Sequence, residues 1–382
     1  MSPNHPRHLF DTAKRVVIKV GSNVLTQDNG LNIEAIGAIS SQISTLIDGG
    51  REVLLVSSGA LAAGVKKLGL RRRPDAIPRR QAAAAVGQAG LILEYETAFE
   101  RHGKQVAQVL LTGDGLTHRK RYLNARNTLH TLLAWGVVPV INENDTVSAD
   151  EIRFGDNDNL AAMITLLMDA DLLINLTDID GLYDRDPRIH SDAARIETVT
   201  TIHREIERAA GGIAGALGTG GMLSKIKAAR KLTTAGVPMI IAGGKIPDIV
   251  GRLFAGEPLG TVFLPQRGKM ANRKCWIGFT LTPKGTLRID DGAARAILTG
   301  GKSLLPSGIV EVEGEFGVGA PVAFKNGGDV ILGMGLVNYS AAEIRRIMGL
   351  RTGEIRKRLG HKPYDEVIHR DNLTVTGMSD EG

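Results

Sequence analysis

The sequence has one cysteine, few aromatic residues and no sign of a membrane-spanning segment. Cys275 is the only cysteine of the sequence, so one chain cannot form a disulfide framework or a cysteine-based zinc site. The apolar run that begins at Leu160 is closed by Asp169, far short of the roughly 20 residues that a spanning helix needs. Residues 1–8 contain no apolar segment typical of a secretory signal. We therefore expect a cytoplasmic protein with no membrane partner.

The composition favours a packed globular protein of two or three domains. The chain has 382 residues, of which 43% are hydrophobic, so a large core is available and wholesale disorder is not expected. Its formal net charge is +6. A basic balance suits nucleic acid or anionic metabolites, and composition alone does not choose between them.

Compact apolar runs alternate with helical patterns over the first two thirds of the chain. The predicted strands are Val16 to Val20, Val53 to Val56, Val106 to Leu111, Val137 to Ile141, Leu172 to Leu176 and Val237 to Ile241. The predicted helices between them are Ile33 to Ile47, Arg80 to His102, Asn124 to Trp135, Leu160 to Met168 and Leu223 to Ala235. This order predicts an α/β domain with a mostly parallel sheet sandwiched by helices. Small or polar residues follow nearly every strand, which indicates a site at the carboxyl edge of the sheet.

The pattern changes near Leu264. Pro265 to Lys274 is polar and basic and is interpreted as a linker. The short β-like pieces beyond it predict a second, smaller β-barrel-like domain with one helix, Gly292 to Leu298. The charged tail after His361 is expected to be loosely ordered. The basic clusters Arg71-Arg72-Arg73-Pro74 and Arg119-Lys120-Arg121 are interpreted as solvated loops.

Amides and carboxylates are concentrated between the fourth predicted strand and the helix that follows it. They occupy Asn142-Glu143-Asn144-Asp145 and Gly155-Asp156-Asn157-Asp158-Asn159. A single polar residue here would be an ordinary loop residue or a helix cap. The whole cluster offers acceptors for an ammonium and donors for a carboxylate, so it predicts a site for a small zwitterion.

Two further features point to an anion. Gly218-Thr219-Gly220-Gly221-Met222-Leu223-Ser224-Lys225 opens a helical pattern, where backbone N–H groups and the helix dipole suit a phosphate chain. Lys19 interrupts an apolar run, and a buried lysine is costly unless an anion pairs with it. A Walker loop is excluded because Ala296 stands at the first glycine position of the nearest match, which ends at Lys302-Ser303.

In order along the chain, these motifs resemble those of the glutamate 5-kinase family, a member of the amino-acid kinase group. The residues that carry the resemblance are Lys19-Val20-Gly21-Ser22, Ser58-Gly59-Ala60, Asn142 to Asp145, Gly155 to Asp158, Thr177-Asp178 and Gly218 to Met222. The second domain resembles a PUA domain through Lys302 to Pro306 and Gly335 to Ser340. The resemblance covers about Lys14 to Gly360, with an amino-acid kinase domain at 12–264 and a PUA domain at 284–362.

The resemblance implies ATP-dependent phosphorylation of the γ-carboxylate of L-glutamate, the first step of proline biosynthesis, with Mg²⁺ on the nucleotide. It implies catalytic roles for Lys19, Lys225 and Asp158, which holds the two lysines. Ser58, Asp145 and Asn157 would bind glutamate, Asp145 through the ammonium. The residues implied for ATP binding are Lys19, Thr177, Asp178, Thr219, Gly220, Gly221, Met222, Leu223, Ser224 and Lys225. No protein residue is assigned to the metal, and Ser22 and Asn23 receive no specific contact.

The resemblance also implies proline as an inhibitor, a homo-oligomer (dimer or tetramer) and handover of the product to glutamyl phosphate reductase. Rival acceptors are carbamate, acetylglutamate, aspartate and a nucleoside monophosphate; the zwitterion-type loop argues against carbamate and nucleotides. A rival of another class is an RNA-binding protein, because PUA-like domains also occur on RNA-modifying enzymes. The aromatic residues Phe316, Phe324 and Tyr339 are scattered and are expected in the core, so RNA binding is not favoured.

Overall fold

A computed structural model of the chain describes residues 6–27, 30–147, 157–203, 206, 221–265 and 268–376. The chain divides into two compact units, Met1–Lys269 and Met270–Gly382. Within the described ranges, no helix is both long and apolar enough to cross a membrane.

The described part of the first unit alternates strands and helices. Its helices are α1 (Pro6–Thr12), α2 (Ser22–Leu25), α3 (Ile33–Asp48), α4 (Ala60–Lys67), α5 (Ile77–Glu100), α6 (Gly113–Thr117), α7 (Arg119–Ala134), α8 (Asn157–Leu167), α9 (Met222–Thr234) and α10 (Ile249–Phe254). Its strands are β1 (Arg15–Val20), β2 (Thr26–Gln27), β3 (Gly30–Leu31), β4 (Glu52–Val56), β5 (Val106–Leu111), β6 (Val138–Glu143), β7 (Leu172–Thr177), β8 (Leu182–Tyr183), β9 (Arg195–Ile196), β10 (Thr198–Val199), β11 (Met239–Gly243) and β12 (Thr261–Phe263).

The main sheet confirms the predicted α/β architecture. Over the described residues it contains eight strands in the order β10-β12-β11-β7-β1-β4-β6-β5. Every adjacent pair is parallel except β11 with β12. Strands β4, β6 and β7 have nearly continuous buried runs, because helices cover both faces of a parallel sheet.

Strand β1 lies at the centre of the sheet, and the chain order reverses around it. Strands β4, β5 and β6 lie on one side, and the later strands β7 and β11 lie on the other. Ligands bind open α/β sheets at such a reversal, beyond the carboxyl ends of the strands. A ligand site is therefore expected beyond the end of β1, where Lys19 and Val20 lie.

Helices α4 and α5 pack unusually close together because glycines face each other. A Cβ atom added at Gly64 would lie 1.6 Å from the carbonyl oxygen of Ala83, and one at Gly87 would lie 1.9 Å from that of Ala60. Neither position therefore has room for a side chain. The segment 68–76 joins these two closely packed helices.

The second unit contains a five-stranded sheet in the order β14-β13-β15-β16-β17, over the residues described. Its strands are β13 (Thr286–Ile289), β14 (Ile309–Glu313), β15 (Pro321–Lys325), β16 (Ile331–Leu336) and β17 (Leu373–Val375). Its helices are α11 (Asn272–Phe279), α12 (Asp291–Leu298), α13 (Ala341–Ile347) and α14 (Ile355–Leu359). Phe316, Phe324 and Tyr339 are buried in its core, as predicted.

Of two sequence-based expectations at the ends of this unit, the first is confirmed in part and the second is wrong. The interval Pro265 to Lys274, interpreted as a linker, contains the division between the two units, but its last three residues already belong to α11, whose Cys275 and Ile277 are buried. The tail after His361, expected to be loosely ordered, contributes β17 to the sheet and buries Val367 and Ile368. These apolar stretches are short and have charged neighbours in the sequence. Their burial can therefore be recognised only when the sheet that they complete is known.

Candidate active site

A cleft with a volume of about 840 Å³ opens at the carboxyl edge of the main sheet. Its walls come from the ends of β1, β4, β6 and β7 and from the first turns of α8 and α9. The predicted site residues that line it are Lys19, Ser58, Asp145, Asn157, Asp158, Thr177, Asp178, Gly221, Met222 and Lys225. Elements far apart in sequence thus bring most of the predicted residues into one cavity.

Lys19 projects from the central strand toward helix α8. It lies in register with Asn175 of β7, so both side chains lie on the same face of the sheet. The Lys19 ammonium lies 2.7 Å from Asp158 Oδ1, and the Asn175 amide donates to the same oxygen over 2.9 Å. Asn175 was not predicted as a site residue, although a polar residue inside an apolar strand was an available signal.

Asp158 joins two lysines from opposite sides. Its Oδ2 lies 3.2 Å from the Lys225 ammonium and also accepts a hydrogen bond from Ser224 Oγ, both from the first turns of α9. Lys19, Asp158 and Lys225 are only 5%, 1% and 4% exposed, so their charges are largely removed from water. The three groups carry a net charge of +1, which suits an anionic ligand in the cleft.

The neighbours of Asp158 keep it ionised. Burial alone would raise the pKa of this carboxyl, but the charges of Lys19 and Lys225, with the hydrogen bonds from Lys19 and Ser224, lower the pKa well below its usual value. Asp158 is therefore a permanent anion between two cations. It can hold both ammonium groups in place, and it is not suited to accept a proton.

On one side of this triad, Asn157 links the loops after β4 and β6. Its amide Nδ2 donates to Ser58 Oγ and to Asn142 Oδ1, each over 3.1 Å. Asn142 in turn donates to Gln88 of α5 over 2.9 Å. Asn157 Oδ1 is buried and has no hydrogen-bond partner within the described ranges. A buried acceptor in a cleft wall indicates a place for a donor on a ligand.

Asp145 lies in the same part of the cleft with a very different electrostatic environment. Burial raises the pKa of its carboxyl to about 6, although the charges of Arg80 and Arg73 act in the opposite direction. Its Oδ1 is buried and accepts no hydrogen bond from any described residue. A cationic donor from a ligand would satisfy this oxygen and favour the ionised form.

On the other side of the triad, β7 ends in two polar residues. Thr177 Oγ1 donates to Asp178 Oδ1 over 3.0 Å, and Asn23 Nδ2 donates to Asp178 Oδ2 over 2.7 Å. Burial opposes ionisation of Asp178, but these two hydrogen bonds and the charge of Lys225 lower its pKa. Asn23, to which the sequence assigned no contact, thus holds Asp178 in place.

Helix α9 begins at Met222, with Gly221 as its N-cap and no side-chain cap. Its first backbone N–H groups and its positive dipole end therefore lie at the cleft wall, where phosphates bind well. The predicted ATP-binding residues Thr219 and Gly220 lie outside the described residues, as do Gly155 and Asp156. Leu223 and Ser224 are not among the cleft-lining residues; Ser224 contacts Asp158 instead.

Sequence reasoning missed the arginines of this site. Arg71 and Arg73 line the cleft, although their cluster was interpreted as a solvated loop. Arg80 acts on Asp145 from helix α5. A run of three arginines carries no periodic signal, and only the closure of α4 on α5 brings it to the cleft.

Comparison with known proteins gives matches to both units. The amino acid kinase family matches residues 14–243, and the PUA domain matches residues 285–359. A protein named Glutamate 5-kinase from Syntrophus aciditrophicus (strain SB) is 54% identical over 371 residues, which is 97% of this chain and 96% of that protein. One of the same name from Geobacter sulfurreducens is 53% identical over 368 residues, covering 96% of this chain and 99% of that protein.

Among solved structures, the UMP kinase from Bacillus anthracis is similar to 67% of this chain. The match covers 97% of that chain, with 18% sequence identity and a TM-score of 0.46.

Proposed function

This chain belongs to the glutamate 5-kinases of the amino acid kinase family, and we propose that it transfers the γ-phosphoryl group of ATP to the γ-carboxylate of L-glutamate. The products are L-glutamyl 5-phosphate and ADP, and the reaction is the first step of proline biosynthesis. The observation that carries the proposal is the bridge of Asp158 between Lys19 and Lys225 at the middle of one cleft. The buried acceptor oxygens of Asp145 and Asn157 lie on one side of the bridge, and the start of α9 lies on the other.

The chemistry requires charge stabilisation more than proton transfer. A glutamate γ-carboxylate has an ordinary pKa of about 4.3, so it is already an anion at neutral pH and needs no general base. One of its oxygens attacks the γ-phosphorus of ATP while the bond from that phosphorus to the β-phosphate oxygen breaks. Lys19 and Lys225, held by Asp158, stabilise negative charge on the transferring group.

The proposed binding roles follow the two sides of the cleft. Asp145 takes the α-ammonium of glutamate, since its buried Oδ1 has no hydrogen-bond donor in the described structure. The Ser58 hydroxyl accepts from Asn157, so its own hydrogen remains to donate to the substrate. Thr177, Asp178 and the residues from Thr219 to Lys225 hold the nucleotide.

Mg²⁺ enters the proposal as the partner of ATP. Among the described residues, no group of three or more His, Cys, Asp or Glu side chains is arranged to hold a metal ion. In kinases, Mg²⁺ is commonly held chiefly by substrate phosphate oxygens and water, with only one or two protein carboxylates. When bound, the ion neutralises phosphate charge, and we assign it no protein ligand.

Further parts of the proposal concern regulation and organisation. Proline carries a secondary ammonium beside a carboxylate, which supports competition with glutamate at Asp145. We assign catalysis to 12–264 and a PUA domain to 284–362, since the cleft lies wholly within the first of these ranges. We also propose a cytoplasmic dimer or tetramer that passes its unstable product to glutamyl phosphate reductase.

The test is ADP formation by the purified full-length protein with ATP and Mg²⁺, with and without L-glutamate. Aspartate, N-acetylglutamate, carbamate and UMP serve as alternative acceptors. We expect turnover to depend on glutamate and on Mg²⁺. Faster turnover with N-acetylglutamate would contradict the proposal, because that acceptor has no ammonium for Asp145.

A further inference from the structure

The segment between α4 and α5 presents alternate arginines to the cleft. Arg71 and Arg73 line the cavity, whereas Arg72 between them does not. All three residues are exposed, so none of them belongs to the core. The segment joins helices α4 and α5, which pack closely at Gly64 and Gly87. Arg73 therefore reaches the cleft from a short connection between two packed helices.

Arg73 and Asp145 act on each other electrostatically. Burial and the charge of Arg80 lower the pKa of Arg73, and the charge of Asp145 opposes that shift. Burial raises the pKa of Asp145, and the charges of Arg80 and Arg73 oppose that shift. Arg73 and Asp145 also line the same cleft, so a cation and an anion that influence each other both face the cavity. Arg80 contributes to the same field from α5 but does not line the cavity.

This pair of charges matches one end of an amino acid. In glutamate, the α-ammonium and the α-carboxylate are bonded to the same carbon, so a wall that binds one must accommodate the other. Asp145 is assigned to the ammonium, and the two lysines of the triad are assigned to the phosphoryl group. Ser58 and Asn157 offer neutral groups only. A planar guanidinium is well suited to a carboxylate, because it can donate two parallel hydrogen bonds.

We propose that Arg73 is a specificity-determining residue that binds the α-carboxylate of the amino acid substrate beside Asp145. The inference rests on the proposed function and deepens it, since it names the group that selects an α-amino acid over a simple carboxylate. Arg80 is a positioning residue that acts through Asp145.

Steady-state kinetics of the full-length protein with Arg73→Gln, Arg73→Lys and Arg72→Gln tests the inference. Arg72→Gln is a matched control, because it removes the same charge one residue away from a side chain outside the cavity. We expect Arg73→Gln to raise the KM for glutamate by about 10- to 100-fold, with kcat and the KM for ATP within about threefold. Arg73→Lys should recover part of the loss, and Arg72→Gln should resemble the unaltered protein.

A second readout uses the α-amide of glutamate, which keeps the ammonium and the γ-carboxylate but has no α-carboxylate. Preference for glutamate over this amide, as a ratio of kcat/KM, should fall in Arg73→Gln and persist in Arg72→Gln. A glutamate KM within twofold of the unaltered protein would overturn the inference, as would equal effects of Arg72→Gln and Arg73→Gln. Lack of glutamate-dependent turnover in the unaltered protein would instead overturn the proposed function itself.

Discussion

The ammonium of Lys19 and the carboxylate of Asp158 lie 2.7 Å apart, although the two residues are separated by more than a third of the chain. Both are buried, and the second oxygen of Asp158 holds Lys225. A single anion between two cations leaves an excess positive charge at the middle of the cleft. Such a site stabilises negative charge that develops on a reacting group in the transition state.

Lys19→Ala and Lys225→Ala should each lower kcat by about 10²- to 10³-fold, because both ammonium groups meet charge that peaks during phosphoryl transfer. The KM for glutamate should change far less. Lys67→Ala is the control, since this exposed lysine of α4 lies outside the cleft. Steady-state kinetics measures the effect, and losses of tenfold or less in both variants would show that the phosphoryl group lies elsewhere.

Asp158→Asn should destabilise the protein at pH 7.5, whereas Asp145→Asn should not. The fold lowers the pKa of Asp158, so its charge stabilises the protein above the unfolded pKa of about 3.9, and this stability is lost as pH falls toward the folded pKa. Removing one partner of a buried ion pair costs about 3–5 kcal/mol. We expect that loss in the free energy of unfolding of Asp158→Asn, measured with urea.

Asp145 has the reverse linkage, because burial raises its pKa to about 6. Its ionisation costs stability as pH rises from about 4 through 6, and Asn removes that cost. Asp145→Asn should therefore be neutral or stabilising at pH 7.5 in the same urea experiment. A similar large loss of stability in both variants would contradict the assigned environments.

The KM for glutamate should rise as pH falls below about 6, because protonated Asp145 cannot pair with the substrate ammonium. Kinetics between pH 5 and 8 measures the change, and in Asp145→Asn the KM should be high and nearly independent of pH. The charges of Arg73 and Arg80 hold down the pKa of Asp145, so removing either should move the transition to higher pH. A glutamate KM that is flat in the unaltered protein would place the ammonium elsewhere, with Glu143 the next candidate.

Gly64→Ala should destabilise the first unit by about 1–3 kcal/mol, because its Cβ would overlap the Ala83 carbonyl oxygen. Gly90→Ala is the matched control in α5, where a Cβ meets nothing within 4 Å. That substitution should be neutral or stabilising by a few tenths to about 1 kcal/mol, through helix propensity. Urea unfolding of both variants compares them, and equal stabilities would show that α4 and α5 can separate without cost.

The main sheet could be predicted from the sequence because burial on both faces leaves nearly continuous apolar runs. The run Leu172 to Leu176 is buried throughout and falls one residue short of β7, whereas the run Val106 to Leu111 matches β5 at both ends although β5 is an edge strand of the described sheet and is only partly buried. The short strands β12 and β10 at one end of the described sheet were missed, because Thr261–Phe263 has only three residues and Thr198–Val199 only two. Length is the signal that separates a strand from a loop, and it is weakest at the edge of a sheet.

The site could be predicted where a residue breaks a local pattern. Lys19 interrupts a strand, and Asp158 belongs to a dense polar cluster. Asn175 also interrupts a strand, but its contact with Asp158 depends on the register of β1 against β7, which the sequence does not specify. Arg73 breaks no pattern, and its place at the cleft wall depends on the packing of α4 against α5.

The central claim is that a phosphoryl group is transferred to the γ-carboxylate of glutamate. An acyl phosphate reacts with hydroxylamine, so the direct measurement is hydroxamate formed by the purified protein with ATP, Mg²⁺ and hydroxylamine, compared among glutamate, aspartate and N-acetylglutamate. The account predicts γ-glutamyl hydroxamate in step with ADP, and more product from glutamate than from either competitor. Equal or greater hydroxamate from aspartate or N-acetylglutamate would contradict it.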